Sequence, residues 1–174
     1  MPRPPLRSVV HNIERGRASH ASQQCPLGDA KAFPCDFGTP REELVSTEFL
    51  ICLYGPSACG KTRLLNAMED ALGGTGVLRT GTESIIWEMA DSLRYAAMDA
   101  FRKKYLEAEN LLVDNLWVLE RRPIMSDEIC RLLRERQEAG RLTVVVSDIP
   151  EQEWAGKNNK VAQLLADGQS VVLG

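Results

Sequence analysis

Histidine is nearly missing: His11 and His20 are the only two, and neither has a ligand partner at metal-binding spacing. There is no C-x-x-C pair either. Cys25, Cys35, Cys52, Cys59 and Cys130 are scattered and odd in number, which argues against a zinc site and a disulfide framework and favours a reducing compartment. No apolar run approaches the roughly 18 residues of a membrane span. The opening Met1-Pro2-Arg3-Pro4-Pro5 has no apolar signal core, so a soluble, cytoplasmic chain with no membrane partner is expected. Excess positive charge is also lacking. Lys and Arg number 21 against 24 Asp and Glu, a net charge of −3, so any nucleic-acid contact would need a local patch. What is present is 174 residues with 44% apolar content, ordinary for one α/β core.

Residues 1–40 hold a spread of prolines and Arg3, Arg7, Arg15 and Arg17 without a sustained period, and read as a flexible basic arm. Residues 41–174 read as one nucleotide-binding domain. There, β-rich runs at Phe49 to Tyr54, Val77 to Thr80, Asn110 to Leu116, Leu142 to Asp148 and Ser170 to Leu173 alternate with helical segments. That is a βαβ series, and right-handed crossovers gather it into one mostly parallel sheet. Leu64, Leu65, Met68 and Leu72 line one helix face ended by Gly73-Gly74. Thr80-x-x-Glu83 resembles a capping box before a stripe of Ile85, Ile86, Met89 and Leu93. A further helix is expected to be capped near Ser126, to bury Ile129, Leu132 and Leu133, to turn Arg131, Arg134 and Arg136 to solvent, and to stop at Gly140.

Gly55-Pro56-Ser57-Ala58-Cys59-Gly60-Lys61-Thr62 matches G-x-x-x-x-G-K-[ST], after an apolar strand and before an amphipathic helix. In that context it predicts a phosphate-binding loop. Gly55 and Gly60 permit backbone conformations that turn successive N–H groups toward an anion, and the helix dipole adds positive character. Lys61 is expected to reach the β and γ phosphates of a nucleoside triphosphate, and Thr62 to offer its hydroxyl to Mg²⁺. Cys59, beside Lys61 and the helix start, is either a reactive thiol or a small residue that fits.

Leu111-Leu112-Val113-Asp114 ends an apolar strand on a carboxylate, where phosphate-bound Mg²⁺ needs an acidic oxygen. Thr143-Val144-Val145-Val146 delivers Ser147 and Asp148 to the same edge, either to sense the γ-phosphate or as a plain turn before Ile149-Pro150. Asn115 follows Asp114 where a second acid commonly orients water, and an amide cannot accept a proton at neutral pH. Slow turnover is therefore expected.

Phe49 to Thr62, Val77 to Arg94, Phe101 to Leu119 and Glu128 to Pro150 together resemble the AAA+ ATPase domain of the bacterial replication initiator DnaA. Its most distinctive pieces are Ala100-Phe101-Arg102-Lys103-Lys104-Tyr105 running into Leu111-Leu112-Val113-Asp114-Asn115-Leu116, and Arg136-Gln137-Glu138-Ala139-Gly140 before the Ser147-Asp148 strand end. The resemblance implies a P-loop NTPase of AAA+ type. Its fold would be a three-layer sandwich around a five-stranded sheet, with the Asp148 strand between the loop strand and the Asp114 strand. It implies ATP and Mg²⁺ as ligands, Lys61 and Thr62 in the nucleotide loop, Asp114 as metal-binding acid and Asp148 as first sensor. It also implies head-to-tail assembly on origin DNA, with replication initiator or helicase proteins as partners. Arg121 and Arg122 occupy the stretch where the family contacts single-stranded DNA, with a solvated charged turn as the alternative; Ile124 stands in place of a further cation.

Three departures matter. Ala162-Gln163-Leu164-Leu165-Ala166-Asp167 holds no arginine to complete a neighbour's ATP site, Phe33 to Thr47 is shortened, and the chain stops at Gly174, before the lid and the helix-turn-helix domain. Duplex sequence recognition is therefore expected to be absent. The sequence predicts an ATP-binding protein of replication initiation or its regulation, possessing at most a weak ATPase. The alternatives are a P-loop small-molecule or nucleotide kinase and a non-catalytic module that binds a replication protein.

Overall fold

A computed structural model of the chain describes residues 49–73 and 76–173. The arm at 1–40, both histidines, Cys25, Cys35, Phe33 to Thr47, Gly74 and Gly174 lie outside the described residues. Five strands, β1 (Leu50–Tyr54), β2 (Val77–Gly81), β3 (Asn110–Asp114), β4 (Leu142–Ser147) and β5 (Gln169–Val172), form one sheet in the order β2-β3-β4-β1-β5. All four pairings are parallel, and β4 lies between β1 and β3 as the resemblance implied. Every strand therefore ends on the same edge, where an α/β sheet binds its ligands.

The period of two along β1 separates two packing faces. Leu50, Cys52 and Tyr54 join the core formed with α2 (Thr82–Arg94), α3 (Met98–Glu107), α4 (Pro123–Glu138), α5 (Glu151–Trp154) and α6 (Asn159–Ala166). Ile51 and Leu53 pack on the other face with Leu65 and Met68 of α1 (Lys61–Ala71). This is a three-layer α/β/α arrangement. Each fully buried Leu or Met contributes roughly 1.5–3 kcal/mol, so α1 is pinned to the sheet mainly by these two side chains. Among the described residues no helix is long and apolar enough to cross a membrane.

Several local expectations are corrected. Thr80 is no cap: β2 runs on to Gly81, which occupies the N-cap of α2 in extended conformation, and the Thr80 hydroxyl donates to the Gly81 carbonyl. The run from Asn110 stops at Asp114, because Asn115 takes φ 59 and turns the chain into a 3-10 helix, Leu116–Arg121. Ser126 lies inside α4, which starts at Pro123, a residue pre-set for the first helical position. The buried Ser126 hydroxyl donates to the Pro123 carbonyl and accepts from Asn158 Nδ2. Leu93 is exposed, one residue before α2 ends.

Arg136 is the largest correction. It is fully buried rather than solvated. Its guanidinium donates to the carbonyls of Tyr105 (2.5 Å), Ala108 (2.8 Å) and Leu142 (2.8 Å) and to Thr143 Oγ1 (3.0 Å). Burial, with Arg141 nearby, pushes its pKa down to about 10.

Two other buried groups tie the stability of the fold to alkaline pH. Burial pushes the Cys130 thiol up to about 12. It also raises the Tyr105 phenol, with the Glu88 carboxylate adding to the effect. Both keep protons that an unfolded chain loses near their ordinary values. Their stabilisation is complete below about pH 8 and falls as pH rises, by about 1.4 kcal/mol per pH unit for each retained proton. Arg136 works the other way above about pH 10, where the unfolded chain binds the extra proton. Denaturant midpoints should thus drop between about pH 8 and 10. Cys130→Ala should flatten that drop.

Candidate functional site

β1 delivers the chain to Gly55, and the loop reaches α1 through two left-handed residues, Ala58 (φ 68) and Gly60 (φ 98). A left-handed non-glycine residue is uncommon, and here it helps wind the loop back over the strand end. Gly60 is the N-cap of α1 and offers no side-chain acceptor, so the first-turn amides of the helix have no side-chain cap. Such a bare N-terminus is suited to an anion.

Lys61 opens α1 and is 8% exposed. Its ammonium donates to the carbonyls of Gly55 and Pro56, each at 2.7 Å, and pairs with Asp148 Oδ1 at 2.7 Å, while Cys59 Sγ lies 3.8 Å away. The loop lysine and the acid just after β4 are thus in direct contact. Thr62 Oγ1 lies 3.4 Å from Asp114 Oδ2 across the edge. The other oxygen of that carboxylate accepts from the Asn115 backbone amide at 2.9 Å.

Gly55, Pro56, Ser57, Ala58, Cys59, Gly60, Lys61, Thr62, Asp114, Asn115 and Asp148 all fall at the carboxyl edge of three adjacent strands, β1, β4 and β3. Arg121 and Arg122 do not join them. They close the 3-10 helix and precede α4, both exposed, with no ion pair among the described residues and with exposed Trp117 and Ile124 nearby in sequence. Thr82 escaped the sequence reading. It is fully buried, and its hydroxyl donates to the Asp114 carbonyl at 2.9 Å, fastening the start of α2 to the end of β3. Its place right after β2 was the available signal.

A hydrated Mg²⁺ in octahedral geometry spaces adjacent oxygen ligands about 3 Å apart. The Thr62 hydroxyl and Asp114 carboxylate, hard oxygens 3.4 Å apart, fit such an ion. Among the described residues no cluster of three or more His, Cys, Asp or Glu is arranged to hold a metal alone, so remaining ligands would come from water and phosphate.

Comparison with known proteins identifies the family and the fold. The family model for the bacterial DnaA ATPase domain matches residues 46–171. The chromosomal replication initiator protein DnaA of Helicobacter hepaticus is 27% identical over 113 residues, covering 64% of this chain and 25% of that protein. Domain III of the Thermotoga maritima replication initiation protein DnaA superposes with a TM-score of 0.68 at 21% identity, covering 73% of this chain and 55% of that one. A replication initiator DnaA bound to AMPPCP and single-stranded DNA superposes with a TM-score of 0.66 at 21% identity, covering 71% and 40%. The chain thus spans about a quarter of the length of that curated relative.

Proposed function

This chain belongs to the bacterial DnaA ATPase domain family, and we propose that it binds ATP and ADP with Mg²⁺ and acts in the cytoplasm in DNA replication initiation or its regulation, hydrolysing ATP slowly. The observation that carries this reading is the convergence of Lys61, Thr62, Asp114 and Asp148 on one sheet edge beside uncapped helix amides. Phosphates would take the amides of the first turn of α1, and Lys61 would exchange its contacts with the Gly55 and Pro56 carbonyls for phosphate oxygens. Thr62 and Asp114 would hold Mg²⁺, which when bound neutralises charge on the phosphates. Asp148 keeps the ammonium placed at the end of β4 and, in the first-sensor role, would report occupancy through that ion pair. Asn115 can orient a water but cannot take its proton.

A relative solved with AMPPCP and single-stranded DNA supports both ligand classes. Arg121 and Arg122, exposed and without ion-pair partners among the described residues, would give a weak single-stranded DNA contact. Replication initiator or helicase proteins are the proposed partners. A kinase reading is not favoured, because the one buried arginine of α4, Arg136, is committed to four protein acceptors and is not free for a lid.

Calorimetry on wild type and Lys61→Ala tests the proposal. Loss of charge-assisted contacts worth about 1.5–3 kcal/mol should weaken ATP roughly ten- to a hundredfold. Equal affinity in the two proteins, or no heat from ATP or ADP at millimolar levels, overturns nucleotide binding at this loop. Turnover well above about 1 s⁻¹ overturns the slow-hydrolysis part.

A further inference from the structure

The groove between the last turns of α4 and α6 gathers three charges that find no partner. α4 runs on into β4 and α6 into β5, so both helices end where strands begin, across the sheet from the phosphate loop. There Arg134, Gln137 and Glu138 face Gln163, Ala166 and Asp167 over an open volume of about 580 Å³, within the roughly 300–1,000 Å³ of common binding sites. Arg134 is half-buried, and its Nε is a buried donor without an acceptor, the one such side-chain atom among the described residues. Native folds rarely keep a buried donor unpaired without a use for it. Glu138 stands one turn on, at a spacing where arginine and glutamate commonly pair, yet neither has an ion-pair partner among the described residues, and nor has Asp167. Their neighbours do: Arg131 engages Glu128, Arg136 has four acceptors, and Lys160 engages Asp127. Gln137 Nε2 donates to the Asp167 carbonyl at 2.9 Å, which braces the two helix ends and holds the groove in shape.

We propose that this groove docks an extended segment of a partner protein in which one Asp or Glu is flanked by Lys or Arg. Docking here does not depend on nucleotide binding at the loop. The segment's carboxylate takes the Arg134 guanidinium, a planar fork suited to two parallel hydrogen bonds. Its cations lie against Glu138 and Asp167, where the carboxyl ends of two helices add negative partial charge. With one cation and two acids in the lining, only a ligand of the opposite pattern neutralises all three, and a lone phosphate would meet two repelling carboxylates. Ala166 is the only apolar lining residue. Small-molecule sites are mostly apolar, so this polar lining is closer to the rim of a protein interface.

Calorimetry on the full chain at about 50 mM salt, where charge pairing is little screened, tests this with the acetylated and amidated peptide Gly-Lys-Glu-Lys-Gly as probe. Arg134→Met keeps the aliphatic volume but removes the donors, and should weaken the peptide about tenfold or more. Its ATP affinity and its guanidinium-chloride midpoint should be no lower than in wild type, since an unpaired buried donor adds nothing to the fold. The triple variant Arg134→Glu/Glu138→Lys/Asp167→Lys should prefer the inverted peptide Gly-Glu-Lys-Glu-Gly. No heat from the probe with wild type at millimolar levels, equal affinity in Arg134→Met, or a lower midpoint in that variant overturns the docking site. Free lysine bound as tightly as the peptide would make the groove a small-molecule site. Self-association in sedimentation that Arg134→Met abolishes would make the occupant a second copy of this chain. Either result overturns the partner segment.

Discussion

Arg136→Ala should lower stability by on the order of 3–5 kcal/mol, a large part of the 5–15 kcal/mol that holds a typical domain together. The side chain has no exposure and no acidic partner; four polar acceptors satisfy it instead. Truncation leaves three carbonyls and a threonine hydroxyl short of a donor, each costing about 1–3 kcal/mol before relaxation, and opens a cavity besides. Arg136→Lys keeps the charge, but a point ammonium cannot span acceptors on α3, the α3–β3 connection and β4, so it should recover only part of the loss. Arg136→Met restores volume without donors. If its guanidinium-chloride midpoint equals that of wild type, the hydrogen-bond account fails and packing alone explains the site.

Those contacts also reach the chemistry. Tyr105 and Ala108 lead into β3, which ends at Asp114, and Leu142 and Thr143 begin β4, which leads to Asp148. One side chain at the far edge thus fixes the register of both strands that present acids at the near edge. Nucleotide affinity in Arg136→Lys should fall along with its stability.

Arg136 also marks the limit of what the sequence made legible. Its spacing from Ile129, Leu132 and Leu133 follows the buried face of a 3.6-residue period, yet its charge assigned it to water. The period was right. A buried arginine is legible only when the carbonyls that will receive it are known, and those lie on segments distant in sequence. The phosphate loop and the edge shared by Lys61, Thr62, Asp114 and Asp148 could be read because strand, glycine loop and helix follow one another within a few residues, whereas the strand order was implied only by the family resemblance. Thr82 was not singled out at all. Its bond to the Asp114 carbonyl depends on β2 lying next to β3, a register no local pattern encodes. Proline at the first turn of α4 was a usable signal that Ser126 outweighed.

Gly55→Ala should cost ATP affinity at least as much as Lys61→Ala, tenfold or more, while Gly60→Ala acts through a different cause. A Cβ at Gly55 would lie 2.5 Å from the Leu173 carbonyl oxygen and 2.6 Å from Cys59 Sγ. Leu173 cannot withdraw freely, because its amide donates to the Tyr54 carbonyl at 2.7 Å at the end of the β1–β5 ladder. The loop must therefore move off the sheet edge, carrying the amides of Cys59 to Thr62 away from where phosphate would sit. Gly60 has nothing within 4 Å of its missing Cβ, but its φ of 98 lies where side chains are disfavoured, so alanine there costs on the order of 1–2 kcal/mol through the backbone alone. The two causes separate in the double variant Gly55→Ala/Cys59→Ala. Removing the thiol relieves one contact and leaves the carbonyl overlap, so calorimetry should find ATP binding still impaired. Full recovery would mean that Cys59, and not the end of β5, holds the loop in place.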